Sequence, residues 1–216
     1  TGRKTGLYHI ALLLPNRPQL ANTLYHLLET RYPLQGASDH LVSEAIYLAD
    51  PDGNGIEIYA DRPEETWKKY DGTIEMATNP LNAEDLLAQR DTESFVGLPP
   101  ETIMGHIHLQ VSSIKESEEF YQALGFHAVN RYGLQALFIS TGGYHHHIGL
   151  NTWNSAGASA SPENEVGLKT FTVKFPNEEA RTLAINNLKT LGTEFTQKEN
   201  HISTFDPSKN VILLAI

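Results

Sequence analysis

The feature that most constrains this chain is a unit that occurs three times along it. Each copy runs from a short apolar strand through a turn into an amphipathic helix and then into further strands, in the order β-α-β-β-β. The first copy starts at Tyr8–Leu14 and turns at Pro15–Pro18, and Pro18 suits a first helical turn. Its helix carries Leu20, Leu24, Leu27 and Leu28 at the spacing of one buried face. Strands are predicted around Ala45–Leu48 and Ile56–Ala60, joined by Asp50-Pro51-Asp52-Gly53-Asn54-Gly55, a run dense in turn formers. The second copy opens at Gly105–Val111. Ser113 and Glu116 form a capping box for a helix that buries Ile114, Phe120 and Leu124. Its later strands are expected near Ala128–Arg131, Ala136–Ser140 and His145–Asn151. The third opens at Leu168–Val173 and is capped by Asn177. Its helix carries Ala180, Leu183, Ala184, Leu188 and Leu191, and the copy closes with Asp206-Pro207-Ser208-Lys209-Asn210 and the strand Val211–Ile216. The fold class is therefore α+β, built of repeated βαβββ modules.

Composition narrows the partners. With 216 residues, 40% of them hydrophobic, the chain can bury a substantial core as one large or two small domains. A net charge of −10 without a dense Lys/Arg cluster argues against a nucleic-acid or membrane-surface partner and favours a small molecule. The absence of cysteine removes disulfides, thiolate ligands and thiol nucleophiles, so His, Asp and Glu are left as the strong metal donors. It also fits a cytoplasmic location. The apolar stretch at Gly6–Ile10 is too short for a signal peptide or a membrane span. Without an initiating Met, the chain reads as a processed or partial product.

Of the ten histidines, His26 in mid-helix and His127 and His201 near strand ends are discounted as ordinary structural residues. His9 and His106 occupy the same place on the first strands of copies one and two. Taken singly, either is more often a packed core histidine than a ligand. Glu57 is embedded in Ile56-Glu57-Ile58-Tyr59, whose neighbours read as buried, and an unpaired buried charge costs several kcal/mol. A cation shared with the two histidines would compensate it, leaving coordination positions open. The alternative is a salt bridge to Arg or Lys. Aligning the third copy on the first puts Leu213 in the place of Glu57 and Thr170 in the place of His9, so that copy repeats the shape without the ligands.

The run from His40 through Tyr47 and Asp50-Pro51-Asp52-Gly53 to Glu57 resembles the signature of type I extradiol ring-cleavage dioxygenases, in which a histidine, a tyrosine and a ligand glutamate are spaced around an Asp-Pro-x-Gly turn. Gly6-Leu7-Tyr8-His9, Gly105-His106-Ile107-His108-Leu109 and the run Gly143–Asn151 extend the likeness over the whole chain. The chain resembles the Bacillus-type catechol-2,3-dioxygenase branch of the vicinal oxygen chelate superfamily, which includes glyoxalases and bleomycin-resistance proteins. The resemblance implies modules pairing into half-barrel sheets around a metal site. It makes His9, His106 and Glu57 ligands of Fe(II), a donor set that also suits Mn(II). It places Tyr47 and His40 beside a bound catechol and dioxygen, and makes one of His145, His146 and His147 the acid–base group. Strand alternation would put His145 and His147 on the side of Gly149, the position equivalent to Glu57, and His145 is the expectation. The implied activity opens a catechol ring to a muconic semialdehyde.

On this reading residues 6–62 and 105–153 are metal-binding modules, 63–104 is a surface connector with a short helix at Ala83–Gln89, 154–166 is a mobile loop, and 167–216 is the third module. Two departures stand out. Members of that branch carry a further module before the first one here, so the third copy's sheet edge would need cover, and a homo-oligomer is one source of it. His108, facing the same way as His106, is not part of the family pattern. The rival readings are a glyoxalase-, epimerase- or thiol-transferase-like reaction on a divalent metal, and a non-catalytic small-molecule binder. Gly149 and Leu213 stand where a fourth, carboxylate ligand would be, and a pure binder has no use for a carboxylate buried between two histidines.

Overall fold

The computed structural model describes residues 3–91, 95–162, 164–198 and 201–216; the side chains of Lys198 and His201 lie outside that description, and with them the expectation for His201. Contacts divide the chain into two compact units, Tyr8–His108 and Leu109–Ile216, the latter taking in the residues before Tyr8.

In the first unit, β1 (Lys4–Leu13) leads into α1 (Arg17–Glu29), then β2 (Leu34–Asp39), β3 (Ser43–Ala49) and β4 (Gly55–Asp61). The two-residue strands β5 (Lys69–Tyr70), β6 (Thr73–Ile74) and β7 (Asn79–Pro80), helix α2 (Ala83–Leu87) and β8 (Ile103–Gln110) follow. The sheet order is β7-β2-β3-β4-β1-β8, with β1 parallel to β4 and β2, β3 and β4 antiparallel neighbours. Helix α1 starts where Asn16 accepts a hydrogen bond from the Gln19 amide and Pro18 sits in the first turn.

The period-two alternation of the strands divides this sheet into two faces of different chemistry. Ile46, Leu48, Ile58 and Ala60 pack under Leu20, Ala21, Leu24 and Leu27 of α1 and Leu86 of α2. Ala11, Ala45 and Tyr59, with Leu13 and Tyr47, form the opposite face. Glu57 lies between Ile56 and Ile58 on β4, so it joins this second face, opposite Tyr47 on β3 and Ala11 on β1. A separate ionic cluster closes the helix side. Buried Glu44 is paired with Arg17, which also meets Asp85 of α2, and Arg62 joins Glu44 to Asp39.

The second unit contains α3 (Ile114–Ala123), β9 (His127–Tyr132), β10 (Ala136–Ser140) and β11 (Ile148–Asn151), then β12 (Ser159–Ala160), β13 (Phe171–Lys174), α4 (Glu178–Thr190), β14 (Phe195–Lys198), β15 (His201–Phe205) and β16 (Val211–Ala215). β9, β10 and β11 form an antiparallel run, and β13, β16, β15 and β14 form a four-stranded sheet. Ser113 caps α3 by accepting from the Glu116 amide, and Asn177 caps α4 by accepting from that of Ala180. The repeat extends to its turns. Asp50 Oδ1 accepts from the amides of Asp52 and Asn54, and Asp206 Oδ1 from those of Ser208 and Asn210. Gly53 (φ +87°) and Lys209 (φ +69°) hold the same left-handed position, which costs the lysine strain that the glycine avoids.

Several expectations are corrected. Leu28, Leu183 and Leu191 are 48%, 62% and 51% exposed, because the buried stripes of α1 and α4 are narrower than the leucine spacing suggests. The third module's first strand begins at Phe171. The strand expected over His145–Asn151 begins only at Ile148, since positive φ at Gly142 and Gly143 extends the preceding turn. Ser159 and Ala160, within the loop expected at 154–166, pair in parallel with Lys4 and Thr5.

Gly55 stands opposite His9, and a Cβ there would meet the Tyr8 carbonyl and lie 3.0 Å from His9 Cβ. Gly55→Ala should therefore push β1 from β4 at His9 and cost about 1–3 kcal/mol of stability, measured by urea denaturation.

Candidate metal centre

Three donors converge on the second face of the Tyr8–His108 sheet. His9 Nε2 lies 3.0 Å from Glu57 Oε2, and His106 Nε2 lies 3.2 Å from the same oxygen. The residues are 7%, 4% and 3% exposed respectively for His9, His106 and Glu57, so water does not screen them. All three donor atoms fall within 4.8 Å of one another, and no other such cluster occurs among the described residues. His9 Nε2 is buried and, despite its closeness to Glu57, has no partner in hydrogen-bond geometry.

This arrangement passes a simple test of fit. Donors about 2.1 Å from one ion and at right angles to each other are about 3.0 Å apart, as the His9 and His106 nitrogens are from the Glu57 oxygen. His9 Nε2, buried and outside hydrogen-bond geometry, would offer its lone pair to such an ion. Burial pushes the Glu57 carboxyl up, but the adjacent His106 and His9 imidazoles outweigh this and hold it well below the usual carboxylate range. The group is thus ionised and ready to coordinate.

Around the donors, the structure brings in Tyr47 and His40 from the same unit. Burial, and then the charge of Glu57 and a hydrogen bond to it, push the Tyr47 hydroxyl well above its ordinary value, so it remains a donor. His40 Nε2 lies 2.6 Å from the Tyr47 hydroxyl, and His40 Nδ1 lies 2.6 Å from the Ala77 carbonyl. His108 is buried with its ring edge-on to His9 at 4.9 Å and to Tyr8 at 5.0 Å. Burial and the neighbouring His9 and His106 keep it neutral.

Tyr59 was missed from sequence. It is fully buried, its ring lies 5.0 Å from that of His106, and its hydroxyl occupies the space a side chain at Gly105 would need. The signal was present, because Tyr59 is two residues beyond Glu57 and so shares its face.

The histidine run belongs to the other unit. His145 is fully buried there, its Nδ1 2.8 Å from His146 Nδ1 and its ring 4.1 Å from Tyr144. His147 Nδ1 accepts from the Thr141 amide and lies 2.9 Å from the Ser140 hydroxyl. Because these residues precede β11, strand alternation does not select among them. His26, discounted from sequence, stacks on Phe95 at 4.1 Å.

The third module repeats the register without the donors. Ala11 pairs with Glu57 in the first module and Thr172 with Leu213 in the third, so Thr170 corresponds to His9.

This fold and site define a class. The chain belongs to the glyoxalase/bleomycin resistance protein/dioxygenase superfamily, whose family description matches residues 103–214. Within it, the chain is 48% identical over 206 residues to catechol-2,3-dioxygenase of Bacillus subtilis (strain 168), across 94% of this chain and 72% of that protein. Among solved structures, a candidate dioxygenase from Bacillus subtilis subsp. subtilis str. 168 aligns over 99% of this chain with a TM-score of 0.62 and 13% identity. A mutant of glyoxalase I from Zea mays aligns over 99% with a TM-score of 0.60 and 14% identity. The chain spans 64% and 69% of the lengths of these two structures, and at such identities the likeness concerns the fold.

Binding of one divalent ion by His9, Glu57 and His106 should raise the melting temperature. At a hundred times Kd the stabilisation is about 2.7 kcal/mol, and Glu57→Gln should abolish it in a thermal-shift titration with Mn(II).

Proposed function

We propose that this chain is an extradiol dioxygenase that cleaves a catechol ring with dioxygen, using Fe(II), or Mn(II), held by His9, His106 and Glu57. The observation that carries the reading is the donor set itself: two imidazoles and one carboxylate on a single face, with no fourth His, Asp or Glu in the cluster among the described residues. A glyoxalase-like site would be expected to add a second carboxylate, and the equivalent position in the third module holds Leu213. The 48% identity to a catechol-2,3-dioxygenase points the same way.

When bound, the ion supplies adjacent open positions for the two vicinal oxygens of a catechol and for dioxygen. The chain's own groups do the rest. Tyr47, held protonated, has one hydrogen to place between the two groups it meets, Glu57 and His40. His40, joined to Tyr47, gives a proton from the substrate a route away from the ligands. His145 is assigned the second acid–base role, and the ring-opened product is a muconic semialdehyde. Residues 6–62 and 105–153 are the metal-binding modules of this reading, 63–104 connects them, and 167–216 is the module without ligands. Its setting is the cytoplasm.

Anaerobic reconstitution with Fe(II), followed by catechol in air, should produce yellow absorbance that His106→Ala does not develop. Tyr47→Phe should retain metal while kcat falls roughly 10²- to 10⁴-fold. A metal-loaded protein that leaves catechol untouched would transfer the assignment to the glyoxalase-like class.

A further inference from the structure

The segment 63–104 meets His40 through the backbone of Ala77. We infer that the carbonyl of Ala77 is a positioning group for the centre, fixing His40 as its Nδ1–H tautomer so that Nε2 is a bare acceptor facing the Tyr47 hydroxyl. A carbonyl oxygen accepts and never donates, so at 2.6 Å from it His40 Nδ1 must carry the hydrogen. In the neutral ring, Nε2 then has only a lone pair, and its 2.6 Å contact with Tyr47 is made by the phenol's hydrogen.

The surrounding backbone holds this arrangement at several points. The Ala77 amide donates back to the His40 carbonyl at 3.3 Å, making the contact reciprocal. β7 pairs Asn79 and Pro80 with Asp39 and Ser38, immediately before His40. On the other side, the His40 amide donates to the Ser43 carbonyl at 2.8 Å, and Leu41 takes a left-handed φ of +69° with its amide bonded to the Asp39 side chain. A residue other than glycine adopts that conformation only where its neighbours over-determine it. The imidazole is thus clamped between the 77–80 segment and its own turn.

The consequence lies in the count of hydrogens. Tyr47 has one to give and is bonded to two groups, His40 and the Glu57 carboxylate. Were the tautomer reversed, neutral His40 could donate to the Tyr47 oxygen and Tyr47 to Glu57, but His40 Nδ1 would then face the Ala77 carbonyl as one acceptor against another, 2.6 Å apart. The Ala77 carbonyl forbids that line. With neutral His40 the sequence from Ala77 through His40 and Tyr47 to Glu57 has one hydrogen fewer than its three contacts. The tautomer is a property of the protein alone; its use in passing a substrate proton rests on the function proposed above.

The test is long-range ¹H–¹⁵N NMR on the ¹⁵N-labelled full chain, metal-free and loaded with diamagnetic Zn(II), with His40→Asn identifying the His40 signals. The expected spectrum has a pyrrole-type His40 Nδ1 and a pyridine-type Nε2. Tyr47→Phe should preserve that pattern, because the carbonyl and not the phenol sets it. Ala77→Pro removes the reciprocal amide bond and displaces the carbonyl, and should turn the pattern into a tautomer mixture. An Nε2–H ring in the wild type, a switch of tautomer in Tyr47→Phe, or an unaltered pattern in folded Ala77→Pro would each overturn the inference. If Ala77→Pro does not fold, the first two spectra decide it. The predicted tautomer together with no ring cleavage by the Fe(II)-loaded chain would leave the inference standing and remove the function instead.

Discussion

The structure turns on one carboxylate. Glu57 is carried into an apolar strand and left 3% exposed, where an uncompensated charge would cost several kcal/mol. No Arg or Lys is its partner among the described ion pairs; its neighbours are the Nε2 atoms of two histidines. Two neutral imidazoles cannot supply a full positive charge, but a cation in their midst can. The salt bridge that sequence leaves open for a buried acid is instead made at Glu44, with Arg17 and Arg62, on the opposite side of the same sheet. One sheet therefore stabilises two buried carboxylates by two means, and only the one without a guanidinium is surrounded by metal donors.

The fold makes this centre by parity and close approach. Alternation sends Ile56 and Ile58 to the helices and Glu57 and Tyr59 to the other face, and the antiparallel register then sets Tyr47 directly across from Glu57. Two glycines let the strands that carry His9, Glu57 and His106 come near. Gly55 admits the backbone of Tyr8 and His9, and Gly105 admits the Tyr59 hydroxyl beside His106. The third module keeps the parallel pairing and the Asp-capped turn but has Thr170 and Leu213 where donors would be, so architecture and chemistry are separable within one repeat.

Much of this was legible in the chain because it depends on short-range periodicity. The three modules, the caps at Ser113 and Asn177, the Asp50 and Asp206 turns and the alternation around Glu57 all follow from spacings of two to four residues. What escaped depends on packing or on backbone. Leu28, Leu183 and Leu191 have helical spacing but no neighbour to cover them. Parity puts Tyr59 on the Glu57 face, but its place beside His106 shows only once Gly105 is seen against it. Strand alternation cannot rank His145, His146 and His147, because β11 begins only at Ile148, after the Gly142-Gly143 turn. The Ala77 carbonyl leaves no sequence signature, since every residue has one.

The account stands on an ion among three named atoms, and a crystal of the Mn(II)-loaded protein, with anomalous scattering at the manganese edge, tests this most directly. The account predicts one strong peak per chain within about 2.0–2.3 Å of His9 Nε2, His106 Nε2 and a Glu57 oxygen. A peak at some other cluster, or an unloaded centre with Glu57 turned to an Arg or Lys, would contradict it.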